Sequence, residues 1–490
     1  MLKILFLNPP NEFHEPVGRD LIYGCWCHGK RVADMQLPPL HLLYLATNLR
    51  ELGGHQVRVL DALVQNLSLE AIAEEAKAFD AVLIHTSNTT FRYDLKVLAA
   101  VKQKKPGLTS ILSGPHPTVY PERVMQEDIV DLAIQGEAED TLLELADQLA
   151  KGGSLAEVAG LAWRRGREVV LNPPRALRKN LDDWPFPDRS LVDPKLYYNP
   201  HSRRSPFTTA LTSRGCVARC IFCTSPPFYH GKLRQRSPEN VLLELKLLRD
   251  QGFREVLFRD EAFTENRKRL RAICQGMIDQ GLNLTWICNS RVGVMDQEDF
   301  RLLKRAGCFF IWVGVESGSQ KVLDRLNKGI TLEETRETFR LANSVGINIH
   351  AHLMFGNPGE TKAEIMQSIA FLKEIEPAAV DIGITTPFPG TPLFDQVKAA
   401  NPEIGDGSDL QIDRVHNIAF FSQHYCELDQ EFLENALILA YRQFYLRPQY
   451  VLRYLSRIRS LHQFLNVVRA FFNLLAYLFK DRKTGLKSIE

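Results

Sequence analysis

Three cysteines on one short loop are the residues of this sequence best suited to chemistry. Cys216, Cys220 and Cys223 follow the spacing C-x3-C-x2-C, and Phe222 stands directly before the last of them. Thiolates are the ligands that iron–sulfur clusters prefer, and each can hold one iron of a cubane cluster. Because only three thiolates are supplied, the fourth iron is left open to bind a substrate or a cofactor.

A zinc site is the alternative for the same cysteines, with His230 as the fourth ligand. The spacing of three and then two residues is unusual among zinc ligands, so the sequence favours the cluster. The nine cysteines of the chain are too sparse, and odd in number, for the disulfide framework of a small secreted domain. With no signal-peptide pattern after Met1, we expect a reducing, cytoplasmic location.

A strand must deliver the cluster loop, and six short apolar runs that alternate with helical segments predict six strands. They cover residues 208–212, 255–259, 285–289, 309–315, 348–354 and 379–385. This alternation predicts a partial (βα)6 barrel, in which reactive groups gather at the carboxyl ends of the strands. Those ends carry Asp260, Glu261, Ser290, Arg291 and Glu316. His350 and His352 share one face of a predicted strand, and a packed core histidine is favoured for each over a catalytic one.

The first third of the chain is also α/β. Apolar runs at 4–8, 56–61, 81–85, 110–113 and 132–135 alternate with helical spacing at 39–52 and 69–79, which predicts a doubly wound, Rossmann-like parallel sheet. It carries no glycine-rich phosphate loop, and ligands of such sheets lie beyond the carboxyl ends of the strands. Those ends hold Asn8, Pro9, Thr86, Ser87, Gly114, His116, Pro117, Thr118, Gly136 and Glu137. Any one of these turns alone reads as an ordinary turn, but together they indicate a large ligand lying across the edge.

Length and composition divide the chain into four parts. At ~150 residues per domain, 490 residues predict about three compact units. We assign 1–150 to the doubly wound domain, 151–205 to a linker in which prolines such as Pro185 and Pro187 block regular helix, 206–395 to the barrel and 396–490 to a helical region. The net charge of +2 does not indicate a nucleic-acid partner.

The helical C-terminal region has a charge of its own. From residue 441 onward there are ten basic and two acidic residues, so this stretch carries +8 and the preceding chain −6. Residues 461–479 are amphipathic, with Phe464, Leu465 and Phe472 on the apolar face, but contain too many polar residues for a transmembrane helix. Two interpretations are about equally favoured: a helix docked on the chain's own barrel, or an anchor on the cytoplasmic face of a membrane.

The cysteine loop with Phe222 resembles the signature of the radical S-adenosylmethionine (SAM) enzymes. The resemblance implies a [4Fe-4S] cluster whose open iron binds SAM, and reductive cleavage of SAM to a 5′-deoxyadenosyl radical. The methionine amino group is assigned to Asp260 or Glu261, which replace the family's Gly-Gly-Glu segment and leave the choice of carboxylate open. The SAM site as a whole is assigned to Phe222, Asp260, Glu261, Ser290, Arg291 and Glu316, with Arg291 at the methionine carboxylate and Glu316 at the ribose.

Residues 1–150 resemble the cobalamin-binding domain that precedes many radical SAM enzymes, in which Gly-x-His-Pro-Thr and Gly-Glu-x-Glu turns recur. The resemblance implies cobalamin as a further cofactor, held by the strand ends of this domain. Domains of methionine-synthase type place a histidine on cobalt through Asp-x-His-x-x-Gly, but here Leu63 follows Asp61 at that position. We therefore expect no protein histidine on the lower face of cobalt. Cys25 and Cys27 are favoured as the lining of a loop or cavity over metal ligands.

Together the two resemblances imply a cobalamin-dependent radical SAM enzyme. The expected reaction is methyl transfer to an unactivated carbon of a large apolar metabolite, an isoprenoid lipid or a tetrapyrrole, in which one SAM methylates cobalamin and a second yields the radical. A flavodoxin or a ferredoxin is the expected electron donor. One alternative keeps the cofactors in a cyclase, oxidoreductase or ring-rearranging enzyme that transfers no methyl group. An alternative of another class is a cobalamin and iron–sulfur sensor without turnover.

Overall fold

The computed structural model describes residues 1–10, 35–408, 426–456, 458 and 461–478. Cys25 and Cys27 lie outside these residues. Two largely parallel sheets, one in each half of the chain, carry most of the strands.

The first half of the chain forms a seven-stranded sheet with helices on both faces. Its strands are β1 (Lys3–Asn8), β2 (Gln56–Asp61), β3 (Ala81–His85), β4 (Thr109–Ser113), β5 (Leu132–Ile134), β6 (Leu161–Arg165) and β7 (Glu168–Leu171). Its helices are α1 (Leu40–Glu51), α2 (Leu69–Ala76), α3 (Phe91–Lys104), α4 (Pro115–Val119), α5 (Pro121–Met125) and α6 (Ala138–Lys151). The order is β2-β1-β3-β4-β5-β6-β7; β1 to β5 are parallel, and β6 and β7 are antiparallel.

Residues 4–7 of strand β1 are all apolar because each face of the strand enters a different core. Ile4 and Phe6 pack with residues of α1 and α6, whereas Leu5 and Leu7 pack with residues of α2 and α3. Burial of both faces is typical of parallel sheets and confirms the doubly wound prediction. Since β1 to β5 are parallel, their carboxyl ends meet at one edge, where the predicted ligand-binding turns lie.

The connection between the two sheets is extended but well anchored. Strands β6 and β7 lie within 151–205, the range expected to be a linker, so the connection without strands begins after Leu171. It contains three short 3-10 turns, each started by an Asn or Asp side chain that accepts a backbone N–H. Arg189, in the second turn, is buried and pairs with Glu244 of the following domain at 2.6 Å.

The second half forms the predicted barrel. Its strands are β8 (Phe207–Ala210), β9 (Ser213–Arg214), β10 (Arg234–Gln235), β11 (Glu255–Phe258), β12 (Thr285–Ser290), β13 (Cys308–Glu316), β14 (Asn348–Phe355) and β15 (Ala379–Ile384). Its helices are α7 (Ser225–Phe228), α8 (Pro238–Asp250), α9 (Arg267–Asp279), α10 (Gln297–Arg305), α11 (Gln320–Arg325), α12 (Leu332–Val345), α13 (Lys362–Ile375) and α14 (Pro392–Ala400).

Six of these strands pair in the parallel order β8-β11-β12-β13-β14-β15, and β9 and β10 form a separate antiparallel ribbon. Within the described chain β8 and β15 do not pair with each other, so the barrel is partial, as predicted. Helices α10, α12 and α13 each begin with a capping box, which fixes where the chain leaves the preceding loop. Their apolar faces cover the outer side of the sheet.

Three helices follow the barrel: α15 (Gln430–Tyr445), α16 (Pro448–Ser456) and α17 (Leu461–Leu478). Helix α15 packs on the edge strand β15, where the Tyr445 hydroxyl accepts the Val380 N–H at 3.0 Å and the Tyr441 hydroxyl accepts the Ile382 N–H at 2.9 Å. The edge of the sheet is thereby covered. No helix among the described residues has both the length and the apolar character required to cross a bilayer.

Candidate active site

The cluster loop is held in place from two sides by backbone hydrogen bonds. It leaves β9 through Gly215, whose φ of 90° lies in the left-handed region that favours glycine. The Ile221 N–H donates to Leu326 O at 3.1 Å, and Ile221 O accepts the Leu393 N–H at 3.0 Å. Asn327 anchors the loop a third time through Arg219 O at 2.8 Å. These three hydrogen bonds hold the loop that carries the three cysteines against the neighbouring elements.

The three thiols form a donor set that fits an iron–sulfur cluster. They lie near enough for Cys216 and Cys220 to raise the pKa of Cys223, although burial is the main cause that raises it to about 12. Burial also raises the pKa of the other two thiols, while the nearby Arg291 opposes the shift for both. A metal is thus needed to hold all three as thiolates at neutral pH.

The zinc alternative finds no support in the geometry. Among the residues that the structure describes, no three metal-ligating side chains come close enough to hold a single metal ion. His230 therefore does not complete a compact site with the cysteines. A cubane does not require the three thiolates to share a single ion, because each thiolate binds a separate iron.

The two adjacent carboxylates after β11 have different surroundings. Asp260 is fully buried and accepts from the Thr212 N–H at 2.8 Å, the Thr212 hydroxyl at 2.5 Å and the Ser213 hydroxyl at 2.5 Å. The Oε1 atom of Glu261 accepts from the Ser225 hydroxyl at 3.3 Å, and its buried Oε2 atom has no hydrogen-bond partner. Burial raises the pKa of Glu261 to about 8. Asp260 thus holds the chain after β8 in place, and Glu261 is the carboxylate with an oxygen left for a cation.

The cationic side of the site consists of Arg291 and Lys328. The Arg291 guanidinium donates to Lys328 O at 3.3 Å. Lys328 Nζ lies 2.5 Å from Glu316 Oε1 and 5.9 Å from the centre of the Phe222 ring. Glu316, at the end of β13, has a φ of 63°, a strained conformation for a residue with a side chain. The predicted site residues Phe222, Arg291 and Glu316 are therefore brought together, with Lys328 among them.

Ser290 has a local role in the same region. Its hydroxyl lies 2.7 Å from the Thr264 hydroxyl and donates to Arg291 O at 3.0 Å. These bonds fix the backbone that carries Arg291, so Ser290 lies beside the predicted SAM site as a supporting residue.

At the edge of the first sheet, the predicted residues form two hydrogen-bonded groups. Asn8, after which Pro9 ends the strand, donates to Asp61 at 2.7 Å, and the Tyr197 hydroxyl donates to the same carboxylate at 3.1 Å. Thr86 donates to the buried Asp94 at 2.7 Å, and Ser87 joins the same turn through Thr90. Both groups order the backbone at the edge.

The Gly-Pro-His-Pro-Thr turn continues this edge. Gly114 has a φ of 111°, and a Cβ there would lie 2.5 Å from Thr86 O, so only glycine fits. Thr118, which follows Pro117, donates to Gly114 O at 2.6 Å and accepts the Gly136 N–H at 2.9 Å. A Cβ built on Gly136 would meet no atom within 4 Å, so the edge has open space beside this turn. A large flat ligand such as cobalamin fits an edge built from glycine and backbone in this way.

His116 is buried under the edge and does not face solvent. Its Nε2 atom lies 3.4 Å from Oδ2 of Asp406, a residue of the segment after α14. Its ring packs against the Phe91 ring, with the two rings tilted by 45° and their centres 4.5 Å apart. The pKa of Asp406 is lowered well below its usual range, although burial opposes the shift, because His116 and Ser408 stabilise its charge. His116 thus ties the first domain to the end of the barrel domain.

Glu137 also connects the two halves. It pairs with Arg214 at 2.9 Å and with Arg234 at 2.6 Å, while Arg214 also pairs with Glu139 at 2.5 Å. Arg214 lies two residues before Cys216, and its guanidinium stacks 4.4 Å from the centre of the Trp184 ring. This arginine–glutamate cluster places the predicted cobalamin edge, at the carboxyl ends of β1 to β5, against Arg214 at the start of the cluster loop.

Three residues of the site, Lys328, Arg214 and Asp406, were not predicted from the sequence. Lys328 and Asp406 belong to no sequence motif, and only the folding of the chain brings them to the site. Arg214 had a usable signal, because it immediately precedes the Gly215 turn into the cluster loop.

Comparison with known proteins matches this geometry. The model for the radical SAM superfamily matches residues 211–372, and the model for the B12 binding domain matches residues 30–146. An uncharacterized methyltransferase of Pyrococcus horikoshii is 32% identical, covering 92% of this chain and 94% of its own. The anaerobic magnesium-protoporphyrin IX monomethyl ester cyclase of Cereibacter sphaeroides is 28% identical, and the match covers 81% of this chain and 64% of the cyclase.

Among solved structures, the cobalamin-dependent SAM radical enzyme OxsB, with aqua-cobalamin and SAM bound, has the same fold. It is 18% identical, with a TM-score of 0.67 over 99% of this chain and 74% of its own. The fold and the matched domains agree with the cysteine loop in one half of the chain and the open glycine edge in the other. This chain belongs to the family of radical SAM enzymes with a B12-binding domain, whose cofactors are a [4Fe-4S] cluster, S-adenosylmethionine and cobalamin.

Proposed function

We propose that this enzyme transfers a methyl group to an unactivated carbon of a large apolar metabolite, an isoprenoid lipid or a tetrapyrrole. The observation that carries the proposal is the direct contact of the cobalamin edge with the root of the cluster loop through Arg214. When bound, the cluster with SAM supplies a radical that abstracts a hydrogen atom, and cobalamin supplies a methyl group. Similarity to a methyltransferase over 92% of the chain supports this reaction.

The chain's own residues bind and orient SAM in this proposal. Glu261, with its unpartnered oxygen, accepts the ammonium of the methionine part. Arg291 takes the carboxylate, because its planar fork matches two oxygens. Lys328 neutralises Glu316 and fixes it beside Phe222, so that Glu316 is available as an acceptor for the ribose.

We further propose that the electron comes from a flavodoxin or a ferredoxin. The cluster loop reaches the surface at Val217 and Arg219, both of which are exposed. An exposed apolar residue and an exposed basic residue two positions apart suit the surface of a small acidic electron carrier. The expected result is a rate of SAM cleavage that falls when Arg219→Glu reverses this charge, measured with reduced flavodoxin and with dithionite as the control reductant.

A labelled-methyl assay distinguishes the proposal from its alternatives. Anaerobically reconstituted enzyme, loaded with cobalamin, is given SAM labelled in the methyl group and an extract of cells that lack the enzyme. Label in an extracted metabolite supports methyl transfer. Label that stays in methionine and SAM while 5′-deoxyadenosine forms would favour the cyclase type of chemistry, and no 5′-deoxyadenosine at all would favour a sensor.

We also propose that the C-terminal helices contact a membrane surface rich in anionic lipid. Helix α17 is docked on the connection that precedes the barrel: the Asn466 side chain donates to Ser202 O at 3.4 Å, and the Asn466 backbone carbonyl accepts from the Tyr198 hydroxyl at 3.4 Å. Its apolar side faces outward, with Leu465 57% and Phe472 64% exposed. An outward apolar face next to a stretch of net charge +8 is typical of interfacial helices.

Vesicle flotation tests the membrane proposal. Wild-type protein should float with phosphatidylglycerol vesicles at low salt and much less with phosphatidylcholine vesicles or at high salt. The double substitution Leu465→Asn with Phe472→Asn should abolish flotation. Leu243→Asn, which removes a leucine of similar exposure on α8, is the matched control and should float like the wild type. Equal flotation of all three proteins would refute the proposal.

A further inference from the structure

The side chains of β15 divide between the two faces of the barrel wall. Those on the outer face lie in the core beneath the helices: Val380, Ile382 and Ile384. Ala379, on the other face, belongs to a second cluster with residues of β11, β12 and β13, in the space that the six parallel strands enclose. We call this space the lumen. Because side chains alternate along a strand, Asp381 and Gly383 face the lumen as well.

Neither the backbone nor the packing of the fold requires glycine at position 383. Gly383 pairs with Met354 of β14 in the regular ladder, and its φ lies outside the left-handed region. A Cβ built on it would meet no atom within 4 Å. Of the glycines in the described part of the chain, only the exposed Gly107 shares both properties. Glycine inside a strand lowers stability and often marks the close approach of a ligand.

The lumen is accessible around this position. Met354 is half-buried, and the side chains of His352 and Asp381, one layer below, are 34% and 43% exposed. Further down, level with His350, the Trp312 side chain is nine-tenths buried and its Nε1 has no hydrogen-bond partner. A buried donor without a partner is costly, which indicates that a bound molecule completes the lumen.

The proposed SAM site occupies the opposite wall. Its charged residues follow β11, β12 and β13, and the last lumen-facing position before the end of β13 is Gly314. There the Glu316 carboxylate and Lys328 Nζ leave no room for a Cβ. The space beside Gly314 is thus filled by the SAM site, whereas the space beside Gly383 is open. Strands β14 and β15 remain as the wall on which a substrate can lie.

The wall formed by β15 is also held against the first domain. In the loop that follows β15, a Cβ built on Gly390 would lie 2.8 Å from Cγ2 of Val119 in α4. Lys398 of α14 adds a second contact, since its Nζ donates to the Tyr120 hydroxyl at 3.3 Å. Val119 directly follows Thr118 of the turn assigned to cobalamin. The open wall therefore lies in a continuous structure with the cobalamin edge.

We propose that Gly383 is a specificity-determining residue: the apolar body of the substrate packs against its backbone, beside Met354, in the space that a side chain at position 383 would fill. This inference rests on the proposed function, because it takes the substrate to be a large apolar molecule. Methionine suits such a contact, since its flexible side chain adapts to the shape of a ligand. No bond is made or broken at Gly383, and the contact decides which substrates fit.

A series of side-chain sizes at position 383 tests this inference, and the substrate does not have to be identified first. Wild-type, Gly383→Ala and Gly383→Leu proteins, loaded with cluster and cobalamin, receive methyl-labelled SAM and an extract of cells that lack the enzyme. The ratio of label incorporated to 5′-deoxyadenosine formed should fall about fivefold for Gly383→Ala and at least about tenfold for Gly383→Leu, because the added groups take up space that the substrate needs.

Thermal unfolding of the same proteins provides a second arm. Because the space at position 383 is open in the folded protein, Gly383→Ala should raise Tm by about 1–2 °C, through the lower entropy of the unfolded chain. Gly107→Ala and Gly107→Leu are the matched controls, since Gly107 has the same freedom but precedes β4, at the edge of the first sheet opposite the cobalamin edge. Their label ratios should equal that of the wild type.

The outcomes separate the inference from the proposed function. An unchanged label ratio for Gly383→Leu would overturn the inference while methyl transfer stands. A Tm for Gly383→Ala that lies several degrees below the wild-type value would overturn it in favour of a glycine that the fold itself requires. Absence of label from every sample, the wild-type enzyme included, would overturn the proposed function and the inference with it.

Discussion

Arg214 joins the two halves of the site, so its replacement tests how they are assembled. Its guanidinium bridges Glu137 and Glu139, and Arg234 pairs with Glu137 from the other side. The four side chains are each less than one tenth exposed. Removal of one partner from a buried ion pair costs about 3–5 kcal/mol, because the remaining charge is left buried. At ~2 °C per kcal/mol, Arg214→Gln should lower Tm by about 6 °C or more.

Calorimetry of the anaerobically purified protein measures this effect, together with the corrinoid retained per chain. Arg340→Gln is the control, because the side chains of Arg340 and Glu337 are 65% and 49% exposed, and an exposed ion pair of this kind contributes little to stability. Adding Glu139→Gln to Arg214→Gln should recover part of the loss, since the unpaired carboxylate is then neutral. A Tm for Arg214→Gln equal to that of the Arg340→Gln control would refute the assigned role of the cluster.

Three other predictions test separate regions of the chain. Glu261→Gln should weaken equilibrium binding of SAM about tenfold or more at unchanged iron content, whereas Asp260→Asn should chiefly lower Tm; equal effects of both on binding would contradict the assignment. Gly114→Ala should lower the corrinoid bound per chain, because its Cβ would meet Thr86 O at 2.5 Å; full corrinoid loading would show that the edge is looser than described. The pKa of Glu360 is raised by burial from 4.5 to about 7, so the folded state binds the extra proton and wild-type stability should fall as pH rises from about 4.5 to about 7, by about 3 kcal/mol. Glu360→Gln should not show this loss of stability with rising pH. Parallel Tm profiles for the wild type and Glu360→Gln between pH 5 and 8 would contradict the assignment of the loss to Glu360.

Local patterns were sufficient for the fold because parallel strands are buried on both faces. The run 81–85 is apolar up to its last residue, and the structure has β3 at Ala81–His85. The cluster loop was equally clear, since three ligands within eight residues need no tertiary information. The antiparallel strands β6 and β7 were missed, because Leu161–Arg165 contains two exposed or half-exposed arginines and resembles the polar connector that follows.

The roles of charged residues could not be predicted from sequence alone. Glu137 was expected at the cobalamin edge, and the structure shows it in contact with two arginines, one of them 97 residues later in the chain. Which of Asp260 and Glu261 is left to bind the methionine amino group depends on which carboxylate accepts hydrogen bonds from Thr212 and Ser213. Only the folded barrel brings these residues together. A C-terminal helix docked on the barrel would ordinarily turn its apolar face inward, yet buried Asn466 and exposed Leu465 show the reverse.

In the proposed reaction, one chain uses SAM, the cluster and cobalamin to add a methyl group to a metabolite. The most direct measurement is mass spectrometry of metabolites from cells that overproduce the wild-type enzyme or its Cys220→Ala variant, grown with methyl-labelled methionine. We expect a metabolite that is heavier by one labelled methyl group in wild-type cells only, paired with loss of its unmethylated precursor. The same metabolite profile in both strains, with no labelled product, would contradict the account.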